Sequence, residues 1–429
     1  MDIYTISIIV FFIILGVLIW FDRKKIEIKN YILIMRRTKK FSNLIDNISN
    51  PKTKIFFIFN FCFSIILTLL SLFLVLKKFD IIPVFTFLFG ISILLILFIK
   101  PNKFWKFVSN IAVLTSFFII IYGVYLLVLS SYMIYTGIIK EPGIKFVFPS
   151  FSSESASGPG YFLIPFWIWI ISVACIIIPH ELFHGIIARS EKIKLKSVGL
   201  LLFAIFPGAF VEPDEKNLKK SKLLTKLRIF SAGSFANFLV AIISFSLLST
   251  VIWPLSVEPG VKIFNVTEGS PAYIAGLKPN MTILKINNIN IEASYFEFVS
   301  GKGYFQEELK NIKVGDNLSV LTDNGEYNIT LSEHQSKPYM GIIYGPVIKK
   351  DASGLLLNLY PLLTMIFIFS LGVGLFNLLP LIPLDGGLIF NSIIEKYFKK
   401  RKEVIINFIN SLIIFLILFN LVGPFILKI

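Results

Sequence analysis

Histidine and cysteine are almost missing from this chain, with three and two among 429 residues. Cys62 and Cys175 each lie inside an apolar run, which excludes a disulfide framework and leaves them as small core residues. Charge is sparse too, at 16% of residues, and 26 acidic side chains face 42 lysines and arginines. So little charge excludes an ordinary soluble protein, and 55% of residues are apolar with a mean hydropathy of +0.78. A net charge of +16 would suit nucleic acid, but the basic residues gather in short loops between apolar runs. That is the pattern of a membrane protein facing anionic lipid, so the bilayer is the expected partner and nucleic acid is not. The first apolar run has neither a basic start nor a small-residue cleavage site, and reads as a retained membrane helix.

Runs long enough to span a bilayer, about 20 apolar residues each, occur near 3–21, 55–76, 81–99, 108–136, 161–188, 229–253, 356–380 and 404–427. A ninth stretch, 198–211, is too short to span and contains Pro207-Gly208, which points to a re-entrant hairpin buried in protein. The expected fold is therefore a polytopic α-helical membrane protein of about eight spans plus that hairpin. Basic clusters follow the first and third runs (Arg36 and Arg37; Lys103 and Lys106) and precede the sixth and eighth (Lys226 and Arg228; Lys400 and Arg401). All four fall on one side if every run crosses once, so that side is cytoplasmic; only Lys77 and Lys78 oppose it. Both termini and 254–350 then lie outside, and the Ser-, Gly- and Pro-rich 140–160 reads as a mobile outer loop.

Segment 258–347 changes character. Alternating apolar residues at Val261–Val266, Ile283–Ile286 and Leu318–Leu321 read as strands, with a turn at Asn324-Gly325. Ser270-Pro271-Ala272, followed by Gly276, reads as a short helix with its stop. This stretch resembles a PDZ domain, which implies a groove for an extended peptide. His334, in its polar tail, reads as a solvated side chain. The expected organisation is an accessory four-span module at 1–150, a first catalytic half at 151–257, the inserted extracytoplasmic PDZ-like α+β domain at 258–350, and a second catalytic half at 351–429.

The remaining two histidines stand four apart in His180-Glu181-Leu182-Phe183-His184, after twenty residues without charge. H-E-x-x-H puts two imidazoles on one helix face for a zinc ion and a carboxylate beside them as general base. An ionisable group in a membrane span is costly unless paired or metal-bound, so its presence points to function. A catalytic zinc takes a third protein ligand, and no other histidine lies in a span. Asp385 is the one acid in the apolar stretch Phe376-Asn377-Leu378-Leu379-Pro380-Leu381-Ile382-Pro383-Leu384-Asp385-Gly386, at the same expected depth as the histidines. The seventh run breaks at Pro380 and Pro383, as backbone lining a cavity can.

These motifs, with Gly233-Ser-Phe-Ala-Asn237 between them, resemble the site-2 protease family of intramembrane zinc metalloproteases over about 161–427. The resemblance implies hydrolysis of a peptide bond in the transmembrane segment of a membrane protein, a single-pass one by expectation. His180, His184 and Asp385 would bind Zn2+ and Glu181 would be general base. Asn377 would contact substrate or the developing oxyanion, an interhelical hydrogen bond being its other reading, and Gly233 and Asn237 would pack against the site. Hydrolysis competes with a metal-binding transporter or sensor that uses the same ligands; only hydrolysis needs Glu181. Composition rich in Ile, Lys, Asn and Phe points to an AT-rich prokaryotic genome, so the expected location is a prokaryotic, archaeal by preference, plasma membrane.

Overall fold

All eight long apolar runs form helices in the computed structural model, which describes residues 2–29, 33–76, 81–203, 206–291, 312–334, 337–350 and 354–427. Helix α1 (Ile3–Asp22) leads into strands β1 (Ile26–Lys29) and β2 (Leu33–Arg37) and the amphipathic helix α2 (Lys39–Ser49). The apolar helices α3 (Lys54–Leu76), α4 (Ile81–Ile99) and α5 (Phe104–Tyr135) follow. Next come β3 (Phe146–Ser150), β4 (Ala156–Gly158), β5 (Tyr161–Pro165) and α6 (Phe166–Ser190). Strands β6 (Leu195–Phe203) and β7 (Phe206–Pro213), the short α7 (Glu215–Lys220) and α8 (Leu223–Leu247) complete this half. Among the described residues, seven helices are long and apolar enough to cross a membrane, with α4 as a shorter eighth. Their outer faces leave residues such as Phe118, Ile121 and Phe408 exposed, as contact with lipid requires. Lys77 and Lys78 lie outside the described residues.

Two expectations change. The fifth run, expected as one span over 161–188, is a strand up to Pro165 and a helix only from Phe166. The loop at 140–160 is not irregular, because β3 pairs in parallel with β5 and β4 pairs antiparallel with it. Phe146, Val147 and Phe148 opposite Tyr161, Phe162 and Leu163 are strand-forming pairs that the intervening Ser and Gly masked.

The described residues divide into two compact units: Met1–Ser244 with Leu362–Ile429, and Phe245–Pro361. In the second, α9 (Trp253–Ser256) and β8 (Val257–Val266) precede a one-turn helix α10 (Pro271–Ile274), capped by Ser270 and closed by Gly276 at φ +91°. Strands β9 (Thr282–Ile286), β10 (Ile289–Asn290), β11 (Asn317–Thr322), β12 (Gly325–Thr330), β13 (Ser332–His334), β14 (Lys337–Tyr339) and β15 (Ile342–Ile348) follow. The main sheet has the order β12-β11-β9-β8-β15 with β10 on β9, around a core that includes Ile263, Ile283 and Val320. All three expected strands and the short helix are present; the side chain of His334 lies outside the described residues.

The first unit resumes at Leu362, within α11 (Gly354–Asn377), and continues with α12 (Asp385–Tyr397) and α13 (Lys402–Leu427). Its second sheet, β1-β2-β6-β7, positions the site. The short apolar stretch forms an antiparallel pair of strands with Phe203 opposite Phe206, and Pro207-Gly208 lies inside strand β7. Strand β2 joins β6 with Arg36 opposite Leu200. Strands β1 and β2, expected in a separate accessory module, thus supply half of the sheet. Helix α2 packs on α6, with Asp46 ion-paired to Arg189. A side chain at Gly185 would meet Ile45 at 2.8 Å and Val211 at 3.2 Å, so this glycine sets how closely α2 and β7 approach. Trp105, Phe183, Ile186 and Phe235 belong to the core around that end of α6.

Candidate metal centre

His180 and His184 follow one another by a helical turn, so their rings share a face of α6. Helix α11 ends at Asn377, and a turn through Leu378–Leu384 carries the chain to Asp385, the first residue of α12. That turn is tight. A side chain on Gly386 would lie 2.0 Å from the Leu378 carbonyl oxygen, and one on Gly387 2.3 Å from the Leu381 carbonyl carbon. The Asn410 side chain of α13 accepts a hydrogen bond from the Ile382 backbone N–H at 3.1 Å and holds the turn in place.

Three side chains from two segments meet here. His180 Nε2 lies 3.2 Å from His184 Nε2 and 3.4 Å from one Asp385 oxygen, and His184 Nε2 lies 3.3 Å from the other. Ligands about 2.0–2.1 Å from a tetrahedral zinc stand about 3.3–3.4 Å apart. The two imidazole nitrogens and the Asp385 carboxylate form a triangle of groups spaced about as the ion requires, each nitrogen facing a different carboxylate oxygen, and one ligand atom from each residue lies within 4.8 Å of the other two. Among the described residues, this is the one group of three His, Cys, Asp or Glu side chains close enough to hold a metal.

Three further observations test the fit. The first is Gly233 of α8, whose backbone faces the triangle: a β-carbon there would lie 2.3 Å from His184 Nε2 and 2.5 Å from His180 Nε2. The second is tautomer control. His184 Nδ1–H donates to the Ile229 carbonyl at 2.7 Å, which leaves the Nε2 lone pair for a metal. Asn237 Nδ2 lies 3.2 Å from His180 Nδ1, while Asn237 Oδ1 is buried with no partner among the described residues. Metal on His180 Nε2 puts the proton on Nδ1, and a half-turn of the amide lets the orphan oxygen accept it. The third is charge. Among the described residues no lysine or arginine pairs with Asp385 or Glu181, so a bound dication would be the compensating charge for these carboxylates. The donor set fits zinc.

Glu181 sits beside the triangle, its Oε2 accepting the Val211 backbone N–H of β7 at 3.0 Å. Ser234 Oγ donates to Asp385 at 3.2 Å. Helix α8 is locked to the end of α6 by Arg228, which pairs with Glu191 at 2.7 Å and also reaches Asn110 of α5. Four sequence-derived residues therefore come together: His180, Glu181, His184 and Asp385. Asn377 does not join them by any hydrogen bond among the described residues. It lies half-buried one turn beyond Gly374, where α11 packs against Phe238 and Asn237 of α8.

Sequence reasoning missed the roles of Ser234, the Ile229 carbonyl and Asn410, and gave Asn237 a packing role only. The spacing of Asn237 one turn after Gly233 was the available signal. Serine in membrane helices ordinarily bonds its own backbone, and a carbonyl carries no residue identity, so the others left none.

The model of peptidase family M50 matches residues 168–420. An uncharacterized protein of Methanocaldococcus jannaschii is 32% identical over 61% of this chain and 67% of its own length. A putative zinc metalloprotease of Campylobacter jejuni is 24% identical over 57% of this chain and 87% of its own. A membrane-bound transcription factor site-2 protease homolog of Arabidopsis thaliana is 28% identical over 34% of this chain and 28% of its own. The matched span contains both arms of the triangle and the helix between them, and the chain belongs to peptidase family M50, the intramembrane zinc metalloproteases.

Proposed function

We propose that His180, His184 and Asp385 hold the zinc of this membrane peptidase and that Glu181 is its general base, cleaving a peptide bond within the transmembrane segment of a single-pass substrate. The observation that carries this reading is the meeting of His180, His184 and the Asp385 carboxylate, with nearest contacts of 3.2–3.4 Å, around the missing side chain of Gly233. Bound zinc supplies a Lewis acid that makes water a nucleophile at neutral pH. Glu181, tethered through one oxygen to Val211, has its other oxygen to take the proton from the attacking water and return it to the leaving amine. Asn237 and Ile229 orient the two imidazoles, and Ser234 orients the aspartate. Asn377 supplies an amide donor for the developing oxyanion.

Chelation tests the ligand set. Treatment with 1,10-phenanthroline should abolish cleavage of a membrane substrate in detergent or vesicles, and added Zn2+ should restore it. His180→Ala, His184→Ala and Asp385→Ala should each fall from one zinc per chain to near none by elemental analysis. A full zinc complement in any of them removes that residue from the set.

A helical substrate must unwind before its amides can react, and the unwound strand needs partners. Strand β7 lies at the edge of its sheet, and the Val211 N–H, taken by Glu181, points away from β6. Alternation then turns Ala209 towards the same free edge. An extended substrate adds there as a further strand. Proline is tolerated at an edge position whose N–H pairs with no neighbour. Ala209→Pro should therefore keep zinc and thermal stability while lowering the cleavage rate about tenfold or more. A wild-type rate would remove β7 as the substrate-holding edge.

The β-rich unit receives an extended peptide in the PDZ manner and screens substrates already trimmed outside the membrane. Strands β8 and β9 and the Ser270-capped helix support that reading. The basic loops face the cytoplasm of a prokaryotic, archaeal, cell, in keeping with a relative from Methanocaldococcus jannaschii.

A further inference from the structure

Between α1 and the β1-β2-β6-β7 sheet lies an apolar cavity of about 560 Å³. One face of the sheet floors it: the register puts Ile26, Ile34, Arg36, Leu200, Leu202 and Pro207 on the same side. Helix α1 roofs it from Phe11 to Asp22, and Ile170 of α6 closes one wall. The roof is fastened at both ends. Trp167 donates its indole N–H to Ser7 at 3.0 Å, Phe11 packs edge-on against Phe166 and Trp167, and Asp22 ion-pairs with Arg36. Helix α1 thus spans the space without filling it.

Two rulers relate the cavity to the site. Ile170 precedes His180 by ten residues, about 15 Å along a helix. Pro207 precedes Val211, the residue bonded to Glu181, by four, about 13 Å along a strand. The cavity therefore opens beside the β7 edge at a fixed distance from the chemistry, on the side towards Phe166.

We propose that this cavity is a specificity subsite that takes a bulky aliphatic or aromatic side chain of the substrate, about three to five residues from the scissile bond. The inference rests on the reading of β7 as the edge that holds substrate. A strand added there sends every second side chain to the face shared by Leu202 and Pro207, which is the face of the cavity. The lining is hydrocarbon except for the Asp22–Arg36 pair at one end, so it selects size and apolarity and not charge. Its roof and half its floor come from residues before 168, outside the family match. The selectivity is accordingly a property of this chain's own N-terminal segment. The other candidate occupant is a lipid acyl chain, and the experiment separates the two.

The test uses full-length protein in vesicles and a model transmembrane substrate carrying Ala, Leu or Phe at each position three to five residues from the cleaved bond, on both sides. Wild type should cleave the Phe or Leu form about tenfold faster than the Ala form at one position on one side. The cavity-filling variant Ile170→Phe/Leu15→Phe should invert that ratio at the same position. The cavity-enlarging variant Leu15→Ala should extend the preference to Trp, which keeps the test valid if the filled variant folds poorly. A ratio unchanged in both variants, or rates lowered equally for all substrates as lipid occupancy predicts, overturns the subsite. If Ala209→Pro cleaves at the wild-type rate, the edge reading fails first and the subsite with it; if that variant is impaired while the ratios stay fixed, only the subsite fails.

Discussion

Glutamine in place of Glu181 is expected to leave one zinc per chain and to lower peptide-bond cleavage by about 10²- to 10⁴-fold. The side chains are nearly isosteric, and the glutamine oxygen can still accept the Val211 N–H that Glu181 accepts at 3.0 Å, so the contact between α6 and β7 survives. None of the three triangle atoms is touched. What is lost is the carboxylate that, in the proposed mechanism, takes a proton from water and hands it to the leaving amine. Zinc content, thermal unfolding and initial rates on one purified preparation check the result. Cleavage at the wild-type rate would end the role of Glu181 as base; loss of zinc would make it a structural support for the ligands. A transporter or sensor would have no use for this carboxylate, and the variant also measures that difference.

Alanine in place of Gly233 is expected to abolish zinc binding and cleavage together. Helix formation favours alanine over glycine by about 1 kcal/mol, so α8 itself should not be weakened. The damage is local. The new carbon would lie 2.3 Å from His184 Nε2 and 2.5 Å from His180 Nε2, nearer than any non-bonded contact allows. Either the imidazoles rotate away or α8 retreats, and both open a cluster whose nearest contacts are 3.2–3.4 Å. A retreat of α8 would also draw the Ile229 carbonyl from His184 and Asn237 from His180. Elemental analysis should find less than a tenth of the wild-type zinc while the unfolding temperature stays within a few degrees. A fully loaded variant would show that Gly233 serves helix packing and not the metal centre. Paired with Glu181→Gln, it separates loss of the base from loss of the metal.

The part of the centre that could be read without coordinates shares one property: each residue is anomalous where it stands. Two of three histidines fall four apart in an uncharged stretch, and Asp385 is the lone acid between two prolines and two glycines. The cost of such groups in hydrocarbon made them conspicuous. Residues acting through ordinary chemistry were not conspicuous. Ser234 resembles any membrane-helix serine, and Asn410 is one of three asparagines in a long apolar helix, yet each holds part of the Asp385 arm.

The same division holds for the fold. Hydrophobic runs determined the eight helices, because each must satisfy its backbone within itself and its length is set by the bilayer. The alternating segments between 258 and 347 determined strands, because side chains on a pleated sheet have a period of two. Tertiary structure alone decided what lay between distant segments. The pairing of Arg36 with Leu200 joins residues far apart in the chain, and no local signal specifies it, since backbone hydrogen bonds carry no residue identity. That pairing turned an accessory segment into half of the sheet beside the metal centre. It also left the apolar cavity between α1 and the sheet. The sequence by itself determined the residues proposed to bind zinc and the apolar runs that become helices. Only packing decided which carbonyl and amide orient those residues, and which glycine leaves them room, because these are properties of distance and not of residue type.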